Sequence, residues 1–248
     1  MTGGARYDRI GLGYSTTRRP DPRIEQLMRD ALGDAHSVVN VGAGAGSYEP
    51  DQRAVVAVEP SLVMARQRPG GTGPVIAAVA EDLPFSRLTF DAAMAVLTVH
   101  HWSDPHAGLG ELRRVAAGPV VVLSFDHRVH SEQWLVTDYL PQMAELDRGL
   151  PSPEGIAQAL GGGTVQVVPV PADCVDGFCH AFWSRPDAYL DPAVRDGISG
   201  IARLPTDLVA GAMSRLAEDL LTGRWHDRHA ELLGMTAIDA GYRLVVSP

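Results

Sequence analysis

The chain has 248 residues, 45% of them hydrophobic, and carries 21 basic and 30 acidic residues for a formal net charge of −9. This length and composition suffice for a full core, so we expect one large domain or one domain with an elaborated cap. The acidic balance argues against a nucleic-acid partner, because neutralising phosphates requires clustered basic residues. No apolar run approaches the roughly 20 residues that span a bilayer, so we expect no membrane insertion.

The first half of the chain alternates helices with short, β-branched strands. Residues 21–33 place apolar side chains at helical spacing and end at Gly33, and residues 104–118 repeat this pattern after an Asp-Pro start. A shorter helix is predicted over 61–68. Strands are predicted over 37–41, 55–58, 75–79, 90–99 and 119–125. Strands separated by helices predict an α/β fold of the Rossmann-like, doubly wound type, with a mostly parallel sheet.

The second half is less regular. Residues 132–148 and 153–160 are predicted to be helical, 165–170 to form a strand, and 177–234 to be mainly helical before a last strand over 242–246. We therefore expect a seven-stranded sheet with helical cap insertions. The predicted division has a lid at 1–33, a core at about 34–126, 164–171 and 236–248, and caps at about 127–160 and 172–234.

A glycine-rich turn follows the first predicted strand. Gly42, Gly44 and Gly46 lack side chains that would keep a ligand from the backbone. Glu59 ends the second predicted strand, where a carboxylate can accept hydrogen bonds from two ribose hydroxyls. Together they indicate an adenosine ligand. A dinucleotide fingerprint would require glycine or alanine where Ser47 stands, which weakens the case for a nicotinamide cofactor.

Four ordered segments resemble one family. VVNVGAGAG, VVAVEPS, AVAEDLPF and FDAAMAVLTVHHWSD, within about residues 7–126, are similar to the class I S-adenosylmethionine-dependent methyltransferases of the small-molecule branch called methyltransferase type 11. The resemblance implies S-adenosylmethionine as cofactor and a small-molecule acceptor. The cofactor-binding positions that it implies are Tyr14, Arg18, Gly42, Gly44, Glu59, Pro60, Ala80, Glu81 and Leu97.

Two positions depart from the family pattern. Asn40 stands where the family usually has an acid, and Val79 where it often has Asp. Asn40 can still form hydrogen bonds through its amide but cannot form an ion pair with the cofactor's ammonium group. These departures leave open a protein that binds the cofactor for regulation without transferring a methyl group.

The predicted catalytic groups follow the fourth and fifth strands. Some sugar and natural-product O-methyltransferases of this family have a His pair and an Asp there, matched here by His100, His101 and Asp126. We expect one of the two histidines to be the general base for an oxygen or nitrogen nucleophile, since an imidazole titrates near neutral pH. A structural role, in which an imidazole bonds the backbone, is the alternative. Aromatic residues at positions 134, 178, 182, 183 and 189 predict either an acceptor pocket or core packing.

No metal site is expected from the sequence. Cys174 and Cys179 alone are too few for zinc, and two histidine groups lack complete ligand patterns: His100, His101, Asp104 and His106, and His226 with His229. Two cysteines and a start without a long apolar core predict a reducing, cytoplasmic location. A homodimer is compatible with these features.

Overall fold

A computed structural model describes residues 18–248, and residues 1–17, including Tyr14, lie outside the described part. Seven strands form the main sheet in the order β3-β2-β1-β4-β5-β9-β6. The strands of the main sheet are β1 Ser37–Val41, β2 Ala54–Val58, β3 Val75–Ile76, β4 Ala92–Val96, β5 Val120–Phe125, β6 Thr164–Val167 and β9 Tyr242–Ser247. The first five are parallel, and β9 runs antiparallel to both β5 and β6. The predicted mostly parallel, Rossmann-like sheet is confirmed.

Both faces of the sheet are covered by apolar packing, which is why its central strands are continuous runs of valine and alanine. Along β1, Val38 belongs to the core on one face, while Val39 and Val41 belong to the core on the other. This alternation follows from the period of two in a strand. The first core contains Met28 from helix α1 (Pro22–Ala31), and the second contains Leu109 from α3 (Pro105–Val115).

The two predicted crossover helices begin with matching caps. The Asp21 side chain accepts a hydrogen bond from the Arg23 amide at the start of α1, and Asp104 accepts one from Ala107 at the start of α3. Each cap satisfies an amide that the helix itself leaves unpaired, and each is followed by proline in the first helical turn. The predicted helices are confirmed, with the last residues of each range outside the helix.

Several predicted elements are shorter or broken. Helix α2 covers only Leu62–Ala65, and β4 gives way to a 3₁₀ turn at Val99–His101. The stretch predicted as one helix over 132–148 contains a π-helical turn, Leu135–Tyr139, and then α5 (Gln142–Leu146). Pro141 stands between these two elements and cannot donate a backbone hydrogen bond within a helix.

The predicted strand at 165–170 also divides. Its first part is β6, and β7 (Val170–Pro171) pairs instead with β8 (Ala237–Ile238) in a separate two-stranded ribbon. Pro169 lies between β6 and β7 and has no amide to continue the pairing.

The remaining helices follow β5 in the chain, and several of them build a third apolar core beside the carboxyl ends of the parallel strands. They are α4 His127–Ser131, α6 Pro153–Ala159, α7 Pro192–Asp196, α8 Ser199–Ala202, α9 Thr206–Leu221 and α10 Arg224–Arg228, with 3₁₀ turns at Pro186–Leu190 and Ala230–Gly234. Trp134, Tyr189 and Trp225 are buried in this core, where Trp134 contacts both of the others edge to face. Among residues 18–248, no helix has the length and apolar character needed to cross a bilayer.

Candidate active site

Two adjoining cavities open at the carboxyl ends of the parallel strands. The glycine cavity, of about 490 Å³, is lined by the turn after β1 together with Glu59 and Met64. The histidine cavity, of about 570 Å³, is lined by His100, His130 and residues of the cap. Arg18, Leu97 and His101 line both cavities. A ligand in one cavity therefore lies next to a ligand in the other.

The turn after β1 has a shape that requires glycine. Gly42 has φ +70°, and a Cβ added there would collide with the side chain of Thr98. Gly44 has φ +54°, and its amide donates a 2.8 Å hydrogen bond to Oε2 of Glu59. Positive φ values are accessible to glycine at little cost. The predicted cofactor positions Gly42, Gly44 and Glu59 are thus brought together on one cavity wall.

Glu59 is fixed at the end of β2 by two backbone amides. Its Oε1 accepts a 2.8 Å hydrogen bond from the Ser61 amide, in addition to the Gly44 bond at Oε2. The side chain is buried yet lines the glycine cavity. Since a carboxylate offers about four lone-pair sites, it retains capacity to accept hydrogen bonds from ribose hydroxyls. Pro60, the neighbouring predicted position, is exposed and lies outside the wall of either cavity.

Asn40 takes part in a buried polar group behind the glycine turn. Its Nδ2 donates to Oε1 of Glu49 at 2.9 Å, and Arg68 forms a two-pronged ion pair with the same carboxylate at 2.7 and 2.6 Å. The Arg68 and Glu49 side chains are 2% and 8% exposed. A carboxylate is therefore present beside position 40, but it is supplied by Glu49. This explains why an amide fits at Asn40, where the family usually has an acid.

We expect Asn40→Asp to destabilise the protein, because it places a second carboxylate next to the buried carboxylate of Glu49. The expected loss is about 3 kcal/mol of unfolding free energy, the scale for an uncompensated buried charge. Urea unfolding would measure it. The double variant Asn40→Asp/Glu49→Gln should recover most of the loss, and equal stability of Asn40→Asp and the parent would contradict this account.

The predicted adenine loop has a different set of contacts. Oε1 of Glu81 accepts hydrogen bonds from the amides of Ser103 and Asp104 at 2.7 and 3.0 Å, so this carboxylate anchors the start of α3. Ala80 is buried in the second core, which Trp102 packs against. Neither Ala80 nor Glu81 is on the wall of the two cavities. Their contact with adenine stays a prediction.

Arg18 reaches both cavities but is already paired. Its Nε and Nη2 donate to the two carboxylate oxygens of Asp176 at 2.6 and 3.3 Å, and the hydroxyl of Tyr48 donates to Asp176 at 2.9 Å. The sequence predicted that the Arg18 guanidinium would pair with the cofactor's carboxylate. In the structure this guanidinium pairs with Asp176, which belongs to the predicted cap. Arg18 thus joins the segment before α1 to the cap at the place where the cavities meet.

The His pair lies on the 3₁₀ turn after β4, at the boundary between the cavities. The two rings are in contact, with centroids 3.8 Å apart, and His100 also meets Phe125 edge to face. Burial, with smaller effects from Arg203 and His130, lowers the pKa of His100 to about 3. Its imidazole is consequently neutral at pH 7. His101 is the member of the pair that lines both cavities.

The chain adopts an unusual conformation just before this pair. Leu97 has φ +48°, a left-handed conformation rarely adopted by a leucine, and its side chain lines both cavities. Backbone strain of this kind is concentrated at ligand sites. The predicted position Leu97 is therefore at the junction of the cavities.

Asp126 has a different environment from the one predicted. Its Oδ1 accepts a hydrogen bond from the Arg128 amide at the start of α4, and the Arg128 guanidinium bonds both oxygens at 3.0 and 2.8 Å. This pairing lowers the pKa of the Asp126 carboxyl. Asp126 lines neither cavity, so the geometry gives it a helix-capping role, and its catalytic role stays a prediction without support from these contacts.

The histidine cavity contains polar residues that the sequence analysis did not select: His130, Asp147, Cys179 and Arg203. They come from four separate segments of the cap, and no spacing in the sequence connects them. Of the aromatic residues predicted for an acceptor pocket, Phe178 lines the cavity, whereas Trp134, Trp183 and Tyr189 are buried in the apolar cores. Core packing is thus the role of most of them.

Comparison with known proteins matches residues 39–123 to a family described as "Methyltransferase domain". A solved structure from Anabaena variabilis, described as a methyltransferase from an antibiotic biosynthesis pathway, is 31% identical, covers 94% of this chain and 99% of its own, and superposes with a TM-score of 0.87. Geranyl diphosphate C-methyltransferase from Streptomyces coelicolor, solved with S-adenosyl-L-homocysteine, is 14% identical over 90% of this chain and 77% of its own, with a TM-score of 0.51, and shares the fold.

Two curated relatives from Oryza sativa subsp. japonica are the chloroplastic 2-methyl-6-phytyl-1,4-hydroquinone methyltransferases 1 and 2, which are 28% and 27% identical over 154 residues. The match covers 52% of this chain and 47% and 44% of the relatives, less than half of their length.

The sheet order, the glycine turn and the acid after β2 are those of an α/β enzyme of the Rossmann-like type. The chain belongs to the class I S-adenosylmethionine-dependent methyltransferases, and S-adenosylmethionine is its cofactor.

Proposed function

We propose that this enzyme transfers a methyl group from S-adenosylmethionine to an oxygen or nitrogen of a small molecule held in the histidine cavity. The observation that carries the proposal is the shared wall: His101 and Leu97 line both the glycine cavity and the histidine cavity. When bound, S-adenosylmethionine supplies a methyl group activated by a positively charged sulfur. The glycine cavity suits that ligand, because its wall brings the backbone of Gly42 and Gly44 together with the Glu59 carboxylate.

The residues of this chain would then position the acceptor and accept its proton. Methyl transfer in line with the breaking bond depends mainly on alignment, which two adjoining cavities with a shared wall would supply. Phe125, Phe178 and Tyr242 provide apolar surface for an acceptor, and His101 lies at the boundary of the two cavities, where this proposal puts the nucleophile and the methyl group. We assign His101 as the general base, with the neutral His100 packed against it.

A transfer assay with methyl-labelled S-adenosylmethionine tests this function. Phenols, carboxylic acids and amines would be offered beside matched compounds whose hydroxyl or amine is already methylated. We expect label to enter the unblocked compounds only, with the new methyl group on oxygen or nitrogen by NMR. Methylation of carbon, as in the name of the Streptomyces protein, would overturn the choice of atom. Cofactor binding without transfer to any acceptor would favour the regulatory alternative.

A further inference from the structure

A cluster of metal-ligand side chains lies in the cap, at the histidine cavity that the His pair also lines. One ligand atom from each of His130, Cys179 and His180 lies within 4.8 Å of the other two. His130 and Cys179 line the histidine cavity, and the rings of His130 and His180 are in contact, with centroids 4.1 Å apart. Two imidazoles and one thiol are the ligand types that Zn²⁺ prefers.

The side chain of His180 offers a nitrogen atom that could bind a metal ion. Its side chain is almost fully buried, and its Nε2 has no hydrogen-bond partner among residues 18–248. A buried polar atom without a partner is costly, so its presence calls for an explanation. The unprotonated nitrogen of a neutral imidazole carries a lone pair that can bind a metal ion.

Asp147 completes the surroundings of the cluster. Its Oδ2 lies 3.5 Å from Nδ1 of His130, in the position from which a carboxylate orients a metal-binding imidazole. The charge of a divalent ion bound here would be balanced by the Cys179 thiolate and the Asp147 carboxylate together.

We propose that His130, Cys179 and His180 bind a divalent transition-metal ion, Zn²⁺ being the closest match, with a remaining coordination position facing the histidine cavity. Three protein ligands and one open position are the pattern of catalytic rather than structural zinc sites. Resting on the proposed function, we assign the open position to an oxygen or nitrogen atom of the acceptor. Coordination there lowers the pKa of a hydroxyl group and fixes its orientation.

Metal binding is tested directly on the purified protein, without an activity assay. Co²⁺ added to the metal-free protein is expected to bind at one equivalent per chain, with a sulfur-to-cobalt charge-transfer band in the near ultraviolet and the strong visible bands of a four-coordinate site. Zn²⁺ should displace the Co²⁺ and abolish both. Absence of the charge-transfer band from the folded parent protein would overturn the proposal.

The two cysteines provide matched variants. Cys179→Ser should lose the charge-transfer band, whereas Cys174→Ala should keep it, because Cys174 is buried in the first core and is not one of the clustered ligands. His180→Gln should weaken Co²⁺ binding at least tenfold. Thermal unfolding and S-adenosylhomocysteine calorimetry would establish that each variant is folded with an intact glycine cavity. Loss of the band in Cys174→Ala but not in Cys179→Ser would contradict the assignment.

The two proposals can fail separately. Co²⁺ binding with no methyl transfer to any acceptor would remove the proposed function and leave the metal site. Methyl transfer by a protein that binds no Co²⁺ would do the reverse.

Discussion

Replacing His101 by asparagine is expected to lower kcat about a hundredfold, the scale of losing a positioned general base. Asparagine keeps a polar side chain at the junction of the cavities but cannot accept the proton. Turnover with saturating cofactor and acceptor would be measured, together with S-adenosylhomocysteine binding by calorimetry. Binding should survive, because the glycine turn and Glu59 are untouched.

Three variants serve as comparisons for His101. His106→Asn changes an exposed histidine on α3 and should leave kcat unchanged. His100→Asn should have the smaller effect of the pair, because His100 lines only the histidine cavity. Asp126→Ala should cost about 1–2 kcal/mol of unfolding free energy by removing the cap of α4, while kcat stays the same. Full activity in both histidine variants would mean that the pair is structural, and a large fall in kcat for Asp126→Ala would restore its catalytic role.

Glu59→Gln is expected to weaken S-adenosylhomocysteine binding by about 10- to 100-fold. The parent carboxylate accepts from the amides of Gly44 and Ser61, and a glutamine amide would turn a donor toward one of these N–H groups. Hydrogen bonds to a charged group contribute about 1.5–3 kcal/mol, and each 1.4 kcal/mol is a tenfold change in affinity. Isothermal calorimetry would measure the change.

Asp91→Asn provides a matched control for Glu59. Oδ2 of Asp91 also accepts from two backbone amides, those of His36 and Ser37, but it is exposed and lies at the opposite ends of the strands. Its substitution should leave cofactor affinity unchanged. An equal loss in both variants would mean that Glu59 acts on the stability of the sheet, and no loss in Glu59→Gln would remove it from the cofactor site.

The sequence was sufficient to predict the sheet and the glycine cavity, because both depend on local patterns. Short valine-rich strands, Asp-Pro helix starts and the glycine turn are encoded within a few residues, and the spacing to Glu59 is set by one crossover. The histidine cavity could not be predicted in this way. His130, Asp147 and Arg203 are separated along the chain and meet only when the cap folds over the strand ends.

Asp126 and Asn40 show the same limit of prediction from the sequence. The Asp126 prediction relied on its place after β5, but the neighbouring Arg128 pairs with the carboxylate and makes it a helix cap. Asn40 suggested a missing charge, whereas Glu49, nine residues later, supplies the carboxylate through a contact that no periodicity reveals. The roles of Asp126 and Asn40 therefore depend on which side chain pairs with each of them, and not on the secondary structure around them.

Leu97, His101 and Arg18 form a common wall between the two cavities, and Asp176 holds Arg18 in place from behind through an ion pair. A shared wall makes the two binding equilibria interdependent, and thermodynamic linkage requires the effect to be reciprocal. If bound S-adenosylhomocysteine changes the affinity for the acceptor by some factor, the bound acceptor must change the affinity for S-adenosylhomocysteine by the same factor. On the proposed function, Leu97, His101 and Arg18 are therefore the three side chains through which occupation of one cavity changes the ligand affinity of the other.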